Sequence, residues 1–476
     1  AMIHVLIRDD LLDHDYIANH TLGFDALRER ARQYTPDYAA TLCGIDAADI
    51  EWLATLYGTT VVRDKQPAAI RLNYGMQRAH GGGQGVRAAA CLPSLVGAWR
   101  TPASGLQLST SGFFPVDTAT LQRPDLLPGW PKLPRTINMS TIGDALLHGG
   151  DASFGPKVEA VVVYNSNPVA VAPDSRKVAA GFAREDLFTV VLEHFQTDTA
   201  DYADILLPAT TQLEHVDVHK AYGHTYVLAN NAAIAPMGQS LPNTEIFRRL
   251  AQRMGFADAC FADSDDAIAA QAIRRDDPAA AHIDWATLKR EGWQKLAHPA
   301  APLARGGYRT PSGRCEFYSE QMAKDGLDPL PGYVPPHESA NSTPELAQRY
   351  PLSMISPPAR NFLNSTFVNV DSLRNTEGEP HLDIHPDDAR ARGVTDGELV
   401  RIFNDRGVMQ ARARVTDRAR CGVVVGLSIW WKKLAPDGTN ANELTSQRLT
   451  DMGRAPTFYD CLVEVAPLAE VAQPAA

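Results

Sequence analysis

Residues Val158–Tyr164 form an apolar run broken only by Glu159, and it stops abruptly at Asn165-Ser166-Asn167-Pro168. A strand with one wet face alternates apolar and polar residues. A nearly continuous run is the pattern of a parallel strand covered on both faces. The pattern recurs. Leu187–Glu193 reads as a second such strand and leads to Gln196-Thr197-Asp198-Thr199-Ala200, and the short Ile205–Leu207 run is closed by Pro208. Ser175–Arg184, between the first two runs, has helical spacing. Upstream, Ala68–Tyr74 reads as a buried strand that enters Gly75 and the cluster Gly81–Gly85, and Val86–Trp99 then reads as a helix. Strands alternating with helices imply an α/β fold with a doubly wound parallel sheet. In such sheets ligands bind outside the carboxyl ends of the strands.

The rest of the chain changes character. Residues 1–62 read as helical, with Asp46 opening an amphipathic stretch. Residues 100–150 are rich in Gly, Pro, Ser and Thr and read as a surface excursion. Residues 245–256 and 264–275 are helical. The segment 300–345 carries Pro329, Pro331, Pro335 and Pro336 and reads as a linker. Beyond it, short alternating runs around one small helix suggest a closed β-barrel. They are Pro351–Ser356, His381–Ile384, Glu398–Phe403, Val408–Val415 and Gly422–Trp430, with Asn404-Asp405-Arg406-Gly407 as a hairpin signal. We therefore expect an α/β unit over 1–150, a second α/β unit over 151–260, a helical and irregular stretch over 261–345, and a β-barrel over 346–476.

Several function classes are disfavoured. With 45 Lys and Arg against 56 Asp and Glu, the net charge is −11, which repels a phosphate backbone and argues against a nucleic-acid partner. No apolar run approaches the ~20 residues of a membrane helix. The six cysteines, at 43, 91, 260, 315, 421 and 461, form no C-x-x-C pair, so the spacing signals neither a zinc site nor a thioredoxin-like motif. There is no G-x-S-x-G elbow, no Walker loop and no G-x-G-x-x-G turn. Arg8, Asp9 and Asp10 end the first apolar run too early for a signal peptide. Met2, Val5 and Leu6 already lie at helical spacing with no cap before them, from which we expect the chain to begin inside a longer protein.

Three loops fall where ligands are expected: Gly75–Gly85, Asn165–Pro168 and Gln196–Ala200. Glycines let backbone N–H groups approach phosphate, Asn offers donors and acceptors to a heterocycle edge, and Asp198 or Asp201 suits a ribose hydroxyl or a guanine. Each loop alone also reads as an ordinary turn or cap. Only their joint placement brings the two readings level. Asp198, Asp201 and Asp204 fit capping better than a metal cluster. His215, His219 and His224, beside Glu214 and Asp217, lack the H-E-x-x-H order and fit a cofactor or surface lining better than zinc.

The string Val163-Tyr164-Asn165-Ser166-Asn167-Pro168, then Gln196-Thr197-Asp198-Thr199-Ala200-Asp201-Tyr202-Ala203-Asp204-Ile205-Leu206-Leu207-Pro208, then Glu214, resembles the molybdopterin oxidoreductases of the dimethyl-sulfoxide-reductase type. These include formate dehydrogenases and nitrate reductases. Leu382–Ala389, Gly393–Gly397, Asn404–Gly407 and Asn442–Thr445 resemble the family's C-terminal dinucleotide-binding domain, a double-psi β-barrel. The resemblance runs over essentially the whole chain. It implies molybdenum or tungsten held by two molybdopterin guanine dinucleotides. It implies cofactor contacts from Gly75, Gln77, Asn165, Asn167, Gln196, Thr197 and Asp198 in the α/β part, and from Arg360, Asn361, Asn364, Ser365 and Asn442 in the barrel. Arg360 and Arg87 are the candidates for phosphate, Arg87 reading equally as a surface helix residue. The resemblance further implies a small-molecule substrate and an electron-transfer subunit. The family's cysteine-rich [4Fe–4S] segment and its metal ligand have no counterpart here, so we expect both in sequence preceding this chain. Two alternatives remain: an inert scaffold of the same fold in a respiratory complex, and an NAD-dependent Rossmann enzyme, whose glycine fingerprint is absent. Substrate and localisation are not legible.

Overall fold

The computed structural model describes residues 1–127 and 134–468. Residues 128–133 of the expected surface excursion and 469–476 of the expected barrel unit fall outside it. Helices Met2–Arg8, His14–His20, Phe24–Ala31, Pro36–Cys43 and Ala47–Gly58 open the chain. Local chemistry starts them: the Asp13 carboxylate accepts from Tyr16 N–H, and Thr35 caps a helix with Pro36 in its first turn. Asp46 sits at a cap position, but its side chain makes no cap bond. These helices share a core with the Gly82–Val96 helix through Leu6, Leu11, Leu27, Leu92 and Leu95. Phe317, fully buried, belongs to the same core. The proline-rich 300–345 segment is therefore a packed part of the fold and not a free linker.

Among the described residues, the Ala69–Arg71 strand pairs in parallel only with Gly105–Gln107. The expected buried strand is corrected here. Ala69 and Arg71 are exposed, because a two-stranded ribbon has too few neighbours to cover both faces.

The principal parallel sheet has Phe188–Glu193 at its centre, flanked by Ala160–Tyr164 and Ile205–Pro208. Asp204 ties its entry edge by accepting from Thr189 N–H at 2.7 Å. One face packs Val163 and Val191 against the Ser175–Phe182 helix through Val178 and Phe182, with Leu146 beside them. On the other face the Asn243–Met254 helix reaches Tyr164, whose ring meets Phe247 at 5.5 Å. Val162, Phe188, Ile205 and Leu206 stay exposed. Coverage on both faces, expected from the apolar run, is met only at that edge among the described residues.

Six strands close the barrel in the order Leu352–Ile355, Val423–Gly426, His381–Ile384, Val408–Val415, Leu399–Phe403, Leu462–Pro467. The first two pair in parallel, as do His381–Ile384 and Val408–Val415. Alternate residues point inward, so Met354, Leu382, Ile384, Val400, Ile402, Val424 and Val463 fill the interior. Asn404–Gly407 makes the expected hairpin, with Phe403 opposite Val408. Regular pairing of the expected Gly422–Trp430 strand ends at Gly426. Beyond it, Trp430 and Trp431 pack with Phe362 and Val368 in a second small core. No helix among the described residues is long and apolar enough to cross a membrane.

Candidate functional site

The carboxyl ends of all three principal strands open into one cavity of about 540 Å³. Asn165 follows the first strand, His194 follows the central one, and Thr210 lies just past the third; all three line it. Phe114, Val227, Ala280 and Leu296 supply apolar wall, and His215, Asp217, His219 and Lys220 the polar part. An apolar cleft with a few convergent polar groups is the usual form of a small-molecule site.

The polar groups are held in place from behind. Asn165 has φ 53°, a left-handed conformation that Asn tolerates better than most residues. Its Oδ1 accepts from Asn243 Nδ2 at 3.1 Å, and Asn243 Oδ1 is buried with no protein partner. His215 Nδ1 lies 2.9 Å from Thr210 Oγ1. The Nε2 atoms of His215 and His219 stand 4.0 and 3.8 Å from the same Asp217 carboxylate oxygen. Glu214 fixes the turn beneath them by accepting from Thr211 N–H, Thr211 hydroxyl and Met237 N–H. Those bonds hold its carboxyl below the ordinary range. His224 is exposed and separate, its Nδ1 accepting from Tyr226 N–H.

The other expected site residues gather elsewhere. Asn167, Thr197, Asp198 and Asn442 are buried along the seam between the sheet and the barrel. Asp198 accepts from the backbone N–H of Lys432 at 2.8 Å and of Lys433 at 3.2 Å. Burial raises its pKa despite those bonds. Lys433 Nζ donates to Thr197 O and to Asp201. Asn167 Oδ1 accepts from Thr199 N–H and hydroxyl, leaving Asn167 Nδ2 buried without a partner. Asn442 Nδ2 donates to Ala170 O at 2.8 Å, and neighbouring Asn440 donates to the same oxygen. Gln196 is exposed and donates to Asp201.

On the barrel side, Arg360 and Asn364 are exposed, while Asn361 N–H donates to Glu377. The Ser365 carbonyl accepts from Trp431 Nε1 at 2.6 Å. Trp431 precedes Lys432, so this loop abuts the Asp198 seam. Gly75 and Gln77 lie exposed in a short helical turn beside Tyr459. None of these residues lines the strand-end cavity.

Two amides of the glycine cluster are taken by a carboxylate. Asp451 of the barrel part accepts from Gly83 N–H at 3.1 Å and Gln84 N–H at 3.0 Å. A carboxylate thus occupies the helix start that an anion would use. A Cβ at Gly83 would come within 2.7 Å of Asp451 Oδ1, so glycine is needed for the approach. Arg87 is corrected as well. Its guanidinium donates to Gln84 Oε1 and to the carbonyls of Phe317, Asp328 and Pro329, bracing the 317–329 segment.

Sequence reading missed His194, Thr210 and Asn243 as cavity residues. The strand-end rule applied to all three strands would have found the first two. Asn243 gave no signal, since it reaches the cavity only by packing.

Two family models match the chain. One, described as molybdopterin oxidoreductase, covers residues 38–253, and the other, described as a molydopterin dinucleotide binding domain, covers 352–462. The chain belongs to the molybdopterin oxidoreductase family. A probable oxidoreductase of Bacillus subtilis, YoaE, is 38% identical over 466 residues, spanning 98% of this chain and 65% of that protein. A putative catalytic subunit of dimethyl sulfoxide reductase from Halobacterium salinarum is 30% identical, spanning 95% of this chain and 52% of that protein. Acetylene hydratase from Pelobacter acetylenicus superposes with a TM-score of 0.79 at 21% identity, covering 98% of this chain and 69% of that one. That likeness carries the fold, including the closed barrel. The chain thus spans about half to two thirds of the curated relatives it matches.

Proposed function

We propose that this chain is the dinucleotide-holding portion of a molybdenum or tungsten oxidoreductase that carries out redox or oxygen-atom transfer on a small substrate. The observation that carries this reading is the single cavity at the carboxyl ends of the three parallel strands. Its size suits one nucleotide-sized portion of a molybdopterin guanine dinucleotide, not two whole ones. The donor set fits such a ligand: Asn165 and Asn243 offer amide edges to a heterocycle, and the unpartnered Asn243 Oδ1 gains a donor from it. His215, His219 and Lys220 add nitrogen groups to the polar part of the lining, with the Asp217 carboxylate 4.0 Å or less from both imidazoles. When bound, the cofactor supplies the redox chemistry at its metal. This chain's residues hold and orient it and exclude water from its buried end. The second dinucleotide is assigned to the barrel, whose residues 352–462 match the dinucleotide-binding model. The metal's protein ligand, a [4Fe–4S] cluster and an electron-transfer subunit are assigned, on the family reading, to sequence and partners beyond these 476 residues.

Asn165→Gly tests the reading, because glycine keeps the left-handed backbone and removes only the side chain. We expect pterin recovered per chain, read as fluorescence after oxidation, to fall about five-fold, the equivalent of one hydrogen bond. Thermal stability should hardly change. Undiminished pterin in the variant would remove Asn165 from the site.

One observation favours the second reading, an inert scaffold of the same fold. Asp198, Thr197 and Asn442 at the seam already have structural partners, so their presence does not require a cofactor, although Asn167 Nδ2 beside them has none. Extraction of the unmodified protein from a cofactor-competent host separates the two. A scaffold returns no pterin and no Mo or W, and the proposed enzyme returns both.

A further inference from the structure

The barrel carries a group of ligand atoms that the cofactor reading does not use. His385 immediately precedes the Pro386–Ala391 helix, Asp388 lies in its first turn, and Cys421 lies in the turn before the Val423–Gly426 strand. One ligand atom from each lies within 4.8 Å of the others. None of the three lines the strand-end cavity.

Their surroundings arrange them for coordination. Asp388 Oδ2 accepts from Gly422 N–H at 2.6 Å, which fixes the carboxylate and leaves Oδ1 facing Cys421 Sγ at 3.7 Å. Ligand atoms about 2.0–2.3 Å from a tetrahedral zinc ion stand roughly 3.3–3.8 Å apart, so that pair needs little movement. His385 Nδ1 lies 3.7 Å from Asp387 Oδ2. With Nε2 as ligand the imidazole proton sits on Nδ1, and a shift of under about 1 Å brings the Asp387 carboxylate into reach of it. This is the carboxylate contact that orients metal-bound histidines. The 3.2 Å approach of Asp387 N–H to Nδ1 is given up in exchange.

Nearby cations are already engaged. Arg390 pairs with Asp387 at 2.7 Å, and Arg392 pairs with Glu464 at 2.5 Å while its Nη1 stays 3.8 Å from Asp388 Oδ1. Arg420 turns away to the carbonyls of Cys43 and Gly44. A nitrogen, oxygen and sulfur donor set selects a borderline-soft divalent ion. Magnesium and calcium require oxygen ligands throughout.

We propose that His385, Asp388 and Cys421 bind a zinc-class divalent ion, with water as the fourth ligand. The Cys421 S–H bond breaks as the sulfur–metal bond forms, the proton leaves to solvent, and no electron is transferred. The ion would join the helix start to the turn at 420–422, which Asp388 already links.

The test is titration of Co²⁺ into the full chain, reduced and stripped with chelator. We expect a thiolate-to-cobalt charge-transfer band that saturates at one equivalent and is bleached by Zn²⁺. Cys421→Ser should lack the band. His385→Ala should weaken binding about ten-fold or more, and Asp387→Ala should approach that loss. Circular dichroism checks that each variant folds; the exposed Cys421 makes its serine variant the safest control. Absence of the band in the reduced parent chain overturns the proposal. So does a band that survives in Cys421→Ser, or unchanged affinity in His385→Ala.

Discussion

Replacing Glu338 by Ala should lower the unfolding free energy by about 3–5 kcal/mol, the cost of leaving a buried charge without its counterion. Glu338 lies in the segment that leads into the barrel, and only 6% of it is exposed. Its two carboxylate oxygens receive Arg406 Nη1 at 2.6 Å and Nη2 at 3.0 Å, a fork-to-fork pair. The second oxygen also accepts from Leu462 N–H at 3.1 Å, at the start of the last barrel strand. Arg406 in turn donates through Nε to the carbonyl of Leu444. Truncation therefore strands a guanidinium and a backbone N–H at once. Urea denaturation of the parent chain and of Glu338→Ala measures the loss. A change below about 1 kcal/mol, the worth of an exposed pair, would show that water reaches Arg406 and that the pair is peripheral. Glu338→Gln should lose less, since its amide oxygen still accepts from one donor.

Arg406 also shows where sequence reading stops. Asn404–Gly407 was legible as a hairpin because turn chemistry is local: Asn404 and Gly407 close it with an N–H···O bond of 3.1 Å. That Arg406 points back under the barrel to meet Glu338, 68 residues earlier, has no local signature. The same division runs through the site. Strand ends and the polar residues after them follow from the apolar runs, so Asn165 was legible as a cavity residue. The destination of Asp198 was not, because the same T-D-T string serves a cofactor or a neighbouring loop equally well. Only tertiary placement shows that Lys432 and Lys433 are its protein partners. Ala160–Tyr164 misled in another way. A nearly continuous apolar run reports what a face needs, and the described residues leave Val162 exposed. The His385, Asp388 and Cys421 group was invisible because ligand-spacing motifs require ligands close in sequence. Here the barrel returns Cys421 to Asp388, 33 residues earlier, at a helix start.

Asp198→Ala should destabilise the chain by roughly 2–4 kcal/mol even with no cofactor present, because it leaves two backbone donors unpaired at a part-buried seam. The donors are the N–H groups of Lys432 and Lys433, which reach across the seam from the barrel to the sheet. A residue kept only to bind a dinucleotide would cost nothing in the cofactor-free chain. The variant thus separates a staple between units from a ligand, by thermal or urea unfolding alone. Asp198→Asn adds a pH signature. Burial raises the Asp198 pKa above its ordinary carboxylate value, so the folded state holds this proton more tightly than the unfolded one. The resulting stability is fully present below the unfolded carboxylate value, and it is lost as pH rises through the raised folded value. Asparagine cannot titrate, while every other carboxylate is common to both proteins. The stability of the parent relative to Asp198→Asn should therefore fall as pH is raised across that window and level off above it. A difference that is flat, or that rises with pH, would mean that the N–H bonds from Lys432 and Lys433, with the charge of the nearby Lys433 ammonium, outweigh burial. Asp198 would then be held ionised at the seam.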